Sequence, residues 1–355
     1  MKILHSADWH LDAPMTGFSE GQTALLHREL LDIPGKIASL CRSEACDLLI
    51  LSGDLFDGKH TQQSLHMLRN ALEEVAVPVI ITPGNHDFCT TDSPWLTENW
   101  PENVHIFTRP ALEILELPEL DCTIYGAGYT AMDCAALLSG LQKKSGIRWH
   151  IGVLHGDPTS VSSPYCPITA QQVKDSGLAY LALGHIHKTG SFRSGDTLCA
   201  WPGCPMGKGY DETGEKGVLL VECGQGVTAE FRPLDTPRFY DEQIDAGEDA
   251  AAAVRNALPP IATDDFYRLT LTGYAPPVDL AAILAEYPGR NLTLRDRTLP
   301  EMDLWGSVDD DTLEGVYFRL LHDGLDTDSE VLRRRIRLAA KISRQILDGQ
   351  EVKLP

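Results

Sequence analysis

Short apolar runs recur along the first two thirds of the chain, and each gives way to glycine or to a cluster of polar residues. Val79, Ile80 and Ile81 lead into Pro83, Gly84, Asn85, His86 and Asp87, and similar runs cover 2–7, 47–52, 149–154 and 178–183. Continuous apolar character over strand length predicts strands buried on both faces, as in a parallel sheet. Between them, apolar residues step at helical spacing. Leu25, Leu26, Leu30, Ile37, Leu40 and Cys41 predict one helix, with Pro34 and Gly35 interrupting it. Leu65, Leu68, Leu72 and Val75 predict another, capped by Thr61. Strand, helix and strand in this order predict a β-α-β unit with a right-handed crossover.

Further along, short strands are expected near 104–107, 111–117 and 123–128, a helix over 132–141 and a capped helix over 169–177. The runs 217–222 and 229–234 are expected to pair as strands of a second sheet. Thr236 and Pro237 mark a boundary. Beyond it, strands near 240–244, 266–271 and 291–297 alternate with helices over 248–258 and 278–287, a small α/β unit whose plain phosphate candidates are Arg290, Arg295 and Arg297. The last segment, 328–348, places Leu332, Ile336, Ala339, Ser343 and Ile346 on one stripe, with Arg333, Arg334, Arg335, Arg337, Lys341 and Arg344 elsewhere. That pattern predicts an amphipathic basic helix, packed on the core or docked on a partner. The expected division is 1–235, 236–305 and 306–355.

Composition narrows the class. With 355 residues, 43 % hydrophobic and 23 % charged, the chain reads as globular with a sizeable core, neither disordered nor fibrous. No apolar run approaches the roughly 18 residues of a membrane span. Met1 and Lys2 lead directly into Ile3 and Leu4 without an apolar signal region, so a cytoplasmic location is expected. Nine cysteines with no Cys-x-x-Cys pair read as reduced structural thiols. A net charge of −21 excludes a protein that coats nucleic acid by bulk charge. It leaves room for a local site in which divalent metals supply the positive charge a phosphate needs.

The strand ends carry the chemistry. Asp8 and His10 follow the first run, Asp54 the second, Asn85 and His86 the third, His155 the fourth, and His185 and His187 the fifth. Residues two apart on extended backbone point to the same side, so Asp8 with His10, and His185 with His187, can face one site. Each motif alone also fits an ordinary turn or a half-buried histidine. Together, at the carboxyl ends of five predicted strands, they point to a shared ligand site.

As a set, D-x-H, G-D, G-N-H-D, H-G and G-H-x-H resemble the signature of the calcineurin-like metallophosphoesterases over about residues 1–235. The resemblance implies a four-layer αββα sandwich of two sheets, with a small α/β cap and a C-terminal amphipathic helix. It also implies two divalent metal ions, one held by Asp8, His10, Asp54 and His187 and the other by Asp54, Asn85, His155 and His185. Manganese is the expected metal, with iron or zinc compatible with the same ligands. His86 is implied as the non-ligand histidine that stabilises the transition state and protonates the leaving group, with Asp87 orienting it.

The opening Leu-His-Ser-Ala-Asp-Trp-His-Leu-Asp, the run Asp-Leu-Leu-Ile-Leu-Ser-Gly-Asp-Leu-Phe-Asp, the segment ending at Lys188, and the stretches from Trp201 and Tyr210 look like SbcD-type DNA repair exonucleases of the Gram-positive branch. That resemblance implies hydrolysis of DNA phosphodiesters by exonucleolytic cleavage and leaves endonucleolytic cleavage open. It implies partnership with an SbcC-like coiled-coil ATPase, and it allows a homodimer. Two departures stand out: Cys204 occupies a position where the family usually has serine, and the chain is somewhat short for the group. The alternative function is a phosphomonoesterase or small-molecule phosphodiesterase on the same fold, which the acidic surface favours.

Overall fold

The computed structural model describes residues 1–300, 303–349 and 352. In it, β1 (Lys2–Ser6), β2 (Leu48–Leu51), β3 (Val79–Ile81) and β4 (Val104–Ile106) run parallel and in that order within a six-stranded sheet. Helix α1 (Glu20–Ser43) connects β1 to β2, and α2 (Gln62–Glu73) connects β2 to β3. Both helices begin at reciprocal capping boxes, Ser19 with Gln22 and Thr61 with Ser64. Alternate residues of β2 serve two cores. Leu49 and Leu51 meet the helices, whereas Leu48 and Ile50 face the second sheet.

The expected interruption of α1 does not occur: Pro34 lies inside one unbroken helix of 24 residues. Proline forfeits one backbone hydrogen bond, and the buried face of Leu26, Leu30, Ile33, Pro34, Ile37, Ala38 and Cys41 offsets that loss.

The short α3 (Pro94–Thr97) precedes β4, and a second six-stranded sheet follows. It contains β5 (Glu113–Leu117), β6 (Cys122–Gly126), β7 (Trp149–His155), β8 (Tyr180–Gly184), β9 (Gly190–Ser194) and β10 (Thr197–Trp201), in the order β5-β6-β7-β8-β10-β9. Helix α4 (Ala170–Ser176) lies between β7 and β8, capped by Thr169 and ended by left-handed Gly177. One apolar core lies between the first sheet and its helices, a second between the sheets and a third on the far side of the second sheet. These layers are the αββα sandwich.

Two expectations fail here. Residues 132–141 form no helix. Their backbone bonds sideways instead, Cys134 N–H to Pro164 and Cys166 N–H to Cys134, while Gly140 takes a φ of +74°. The apolar residues that suggested a helix pack as a loop, with Leu138 buried. The strands β11 (Gly217–Cys223) and β12 (Val227–Pro233) pair with each other as expected, but they extend the first sheet, not the second. β11 runs antiparallel to β1, with Leu4 opposite Leu220, because its apolar face completes the same core layer.

The remaining elements are β13 (Phe239–Asp245), α5 (Ala250–Ala257), β14 (Phe266–Thr272), β15 (Tyr274–Ala275), α6 (Leu280–Ala285), β16 (Asn291–Asp296), β17 (Leu299–Pro300), α7 (Leu313–Asp323) and α8 (Glu330–Leu347). β13, β14 and β16 form a three-stranded sheet, and β15 pairs with β17. The chain divides into two compact units: Met1–Asp241 with Ala262–Arg268 and Gly289–Asn291, and Glu242–Ile261 with Leu269–Pro288 and Leu292–Pro355. Of the segments expected at 236–305 and 306–355, residues 301–302, 350–351 and 353–355 lie outside the described residues.

In the second unit α8 packs through Ala340 and Gln345, with Arg344 over the Phe318 ring at 4.2 Å and Lys341 over Tyr274 at 3.8 Å. The predicted apolar stripe is therefore only partly covered: Leu332 and Ile346 remain exposed, as does the neighbouring Leu347. Among the described residues no helix is long and apolar enough to cross a membrane.

Candidate metal centre

The ends of β1, β2 and β3 in one sheet meet the ends of β7 and β8 in the other, and the polar residues just past them converge there. Asp8 N–H bonds to Gly53 C=O at 3.0 Å and His10 N–H to Asp54 C=O at 2.9 Å, so the first two loops are laced together by their backbones. Asp8, His10, Asp54 and His185 hold φ values of +56°, +51°, +53° and +91°. Left-handed backbone at non-glycine residues is uncommon, and a cluster of it is characteristic of functional sites.

The donor atoms fall into two overlapping sets. His10 Nε2 lies 3.1 Å from His187 Nε2 and 3.8 Å from Asp54 Oδ2, and the ligating atoms of Asp8, His10 and His187 lie within 4.8 Å of one another. On the other side, Asn85 Oδ1 is 3.0 Å from His155 Nε2 and 3.1 Å from His185 Nδ1. Asp54 Oδ2 is 3.3 Å from His155 Nε2, which leaves that one oxygen between the two sets. Asp8 also accepts the His185 backbone N–H at 2.9 Å. Every metal-ligand residue expected from the sequence is thus brought to one place.

These residues fit divalent cations. Asp8 and Asp54 are almost fully buried, and among the described residues neither pairs with a lysine or arginine. A buried carboxylate without a cation is expensive. His155 Nδ1 donates to the Ser52 carbonyl at 2.9 Å, so in the neutral ring the Nε2 lone pair faces the oxygens of Asn85 and Asp54. Only a positive charge relieves that opposition. The titration behaviour agrees: burial lowers the His155 imidazole, but Asp54 and Asp8 outweigh it and hold it up at about 9. Burial likewise pushes the Asp54 carboxyl up, yet His155 and His10 hold it below the usual carboxylate range. Imidazole, carboxylate and amide oxygen are donors suited to manganese, iron or zinc.

His86 is not among the expected ligands, and its side chain is 42 % exposed, yet a ring nitrogen lies within 4.8 Å of donor atoms of His10 and Asp54. Its backbone N–H donates to Asp54 Oδ1 at 2.8 Å. A cavity of about 310 Å³, lined in part by Phe56, Lys59, His60 and Phe88, opens beside it. The expected pairing of His86 with Asp87 is not found. Asp87 is buried and accepts the backbone N–H groups of Gly84 at 2.7 Å, Leu55 at 2.8 Å and Phe56 at 3.3 Å, which ties the β2 loop to the β3 loop. With its oxygens committed to those amides, it has none to offer the ring. Burial and the neighbouring Asp54 push its carboxyl up to about 7.

Two residues outside the expected set complete the site. Asp57 Oδ1 lies 2.9 Å from His10 Nδ1 and 3.0 Å from His86 Nδ1. Glu212 Oε1 bonds to His187 Nδ1 and lies 3.3 Å from Lys208 Nζ. Both carboxyls are held below their usual range, Asp57 by the bonds from His10 and His86, and Glu212 by His187 and Lys208 against the cost of burial. Carboxylates behind histidine ligands fix the tautomer that turns the other nitrogen inward. Asp57 closes the Gly-Asp-Leu-Phe-Asp run and Glu212 sits in the stretch from Tyr210, so both were visible as motif residues without an assigned role. At the departure noted above, Cys204 Sγ donates to the His187 carbonyl at 3.6 Å, a weaker tie than a hydroxyl would make.

Comparison with known proteins agrees with this geometry. Residues 1–189 match the model of the calcineurin-like phosphoesterase family. The chain is 30 % identical to the uncharacterized metallophosphoesterase YhaO of Bacillus subtilis, over 77 % of this chain and 69 % of that one. It is 25 % identical to the SbcD subunit of the SbcCD nuclease of the same organism, over 66 % and 69 % respectively. Among solved structures, a dimetal phosphatase from Danio rerio aligns over 66 % of this chain and 96 % of its own, at 12 % identity and a TM-score of 0.45. The chain therefore belongs to the calcineurin-like phosphoesterase family and is a metal-dependent phosphoesterase.

Proposed function

We propose that this protein is a cytoplasmic two-metal phosphodiesterase that hydrolyses DNA, acting as the nuclease subunit of a complex with a coiled-coil ATPase. The observation that carries the reading is the position of Asp54 Oδ2 between two donor sets, with the part-exposed His86 beside them and bonded to Asp57. Asp8, His10, Asp54 and His187 would hold one ion, and Asp54, Asn85, His155 and His185 the other. When bound, the ions neutralise phosphate charge and activate a water for in-line attack. Manganese is the metal this reading favours.

The chain's own residues supply the rest. His86, bonded through Nδ1 to Asp57, keeps Nε2 free to carry a proton to the leaving oxygen. Burial lowers the His86 imidazole, but the Asp57 bond outweighs it and raises the ring above its ordinary value, so the protonated acid persists to higher pH. The kinship to the SbcD subunit of SbcCD nucleases supports DNA as substrate and an SbcC-like partner. The exposed apolar residues of α8 beside Arg334, Arg335 and Arg337 support a docking helix.

A second reading, a small-molecule phosphodiesterase or phosphomonoesterase, is favoured by the net charge of −21, which opposes bulk attraction to DNA. The deciding experiment compares manganese-dependent release of nucleotides from linear duplex DNA with hydrolysis of bis(p-nitrophenyl) phosphate and of phosphomonoesters. Turnover of the small esters without any release from DNA would overturn the nuclease reading.

A further inference from the structure

On the flank of the centre formed by His187 lies a cavity of about 340 Å³, lined in part by Lys188, Asp211, Thr213, Glu215 and Lys216. Lys216 is only 8 % exposed, yet among the described residues no carboxylate, hydroxyl or carbonyl receives its ammonium. The stem of Lys216 is thus buried while its ammonium is not among the buried unpaired atoms, so it stays open to the cavity and free to meet an anion there. Lys188, at the end of the Gly-His-Ile-His run, adds a second, exposed ammonium to the same wall.

The carboxylates of the cavity do not answer this charge. Glu215 is engaged by Arg238 at 3.0 Å, and among the described residues Asp211 forms no ion pair with Lys188 or Lys216. Cys204 links the cavity to the centre: it lines the wall, feels the charge of Lys216, and bonds through Sγ to the carbonyl of His187. A protein of net charge −21 thus keeps an unpaired cation next to a phosphoesterase centre.

We propose that this cavity is a second anion subsite, in which Lys216 and Lys188 bind a substrate phosphate other than the one being cleaved. The inference rests on the phosphodiesterase reading and sharpens it: the preferred substrate carries at least two phosphates. The second phosphate is either the neighbouring one within a strand or a terminal one.

The test is equilibrium binding to the manganese-loaded protein of a thymidine dinucleotide, the same dinucleotide phosphorylated at its 5′ or 3′ end, and a trinucleotide. Calorimetry on the wild type should show one phosphorylated form binding about tenfold tighter than the bare dinucleotide. Lys216→Met should bring that ratio close to one, and Lys188→Ala, at an exposed position, should reduce it part-way. An equal gain for the trinucleotide identifies an internal phosphate, and a gain confined to a terminal phosphate identifies an end. Equal affinity for all four ligands, or a preference that survives both substitutions, overturns the subsite. Hydrolysis of the same series reports on the phosphodiesterase reading separately, since the binding ratio stands even where no bond is cleaved.

Discussion

The Asp57 carboxylate lies 3.0 Å from Nδ1 of His86, the histidine beside the expected metal ligands. The same oxygen holds Nδ1 of His10 at 2.9 Å. One side chain therefore sets both a candidate metal ligand and the candidate general acid. His86→Gln is expected to lower kcat by about 10²–10⁴-fold while bound metal stays unchanged. Elemental analysis beside steady-state kinetics checks this, and full activity in that variant would remove His86 from the chemistry.

A pH profile separates Asp57 from His86. Asp57 raises the His86 imidazole, so the acid is protonated up to a higher pH than an unpaired histidine would be. In Asp57→Asn at saturating metal, the alkaline limb of kcat should move to lower pH. An unmoved limb would show that the limb belongs to another group.

Glu212 should act on metal affinity more than on turnover. Removing a carboxylate behind a histidine ligand typically costs about 10–100-fold in metal binding. Glu212→Gln is therefore expected to weaken one of the two metal-binding steps in a calorimetric titration by that order. Its kcat at saturating metal should fall far less.

His5 gives a stability signature independent of metal. It is fully buried, sits 2.8 Å from both Tyr180 Oη and Ser52 Oγ, and burial pulls its pKa down from 6.5 to about 3. Because the folded pKa lies below the unfolded one, the stability from the neutral ring is complete above pH 6.5 and is lost as pH falls toward about 3. The loss amounts to about 1.4 kcal/mol per pH unit in that window. Denaturant unfolding between pH 7 and 4 should give a slope shallower by about one proton in His5→Asn.

Truncation after residue 327 tests the partner. It should abolish co-purification with a coiled-coil ATPase while hydrolysis of bis(p-nitrophenyl) phosphate persists. Loss of both activities together would argue that α8 is needed for folding and not for docking.

Much of the fold was legible in the sequence because the strands are short, apolar and closed by glycine. Val79, Ile80 and Ile81 read as a buried strand and form one, and residues just past such a strand lie at the sheet's rim. Asn85 and His86 were placed by that rule alone. The roles of Asp57 and Glu212 were not legible, since each acts on a histidine brought near by tertiary structure: Asp57 on His10, 47 positions away, and Glu212 on His187, 25 positions away. Asp87 misled for the converse reason, because adjacency to His86 suggested a bond that three backbone amides had already claimed. The 132–141 loop misled because its leucines are spaced as on a helix, while the Cys134 backbone pairs with Pro164 and Cys166. Sheet membership of β11 was hidden as well, since an apolar run does not say which neighbour it pairs with.

The left-handed backbone at Asp8, His10, Asp54 and His185 restricts the alphabet of the site. Each position must offer a donor atom and also tolerate a positive φ, and among residues with a side chain Asp, Asn and His do so most readily. Glutamate and cysteine ligate the same metals but bear that conformation poorly. Replacing Asp8 by Glu should therefore damage the centre more than its retained charge suggests, whereas Asn should fold with less penalty and fail only in charge. The fold, before any ion arrives, has already decided which ligands the metals can be given.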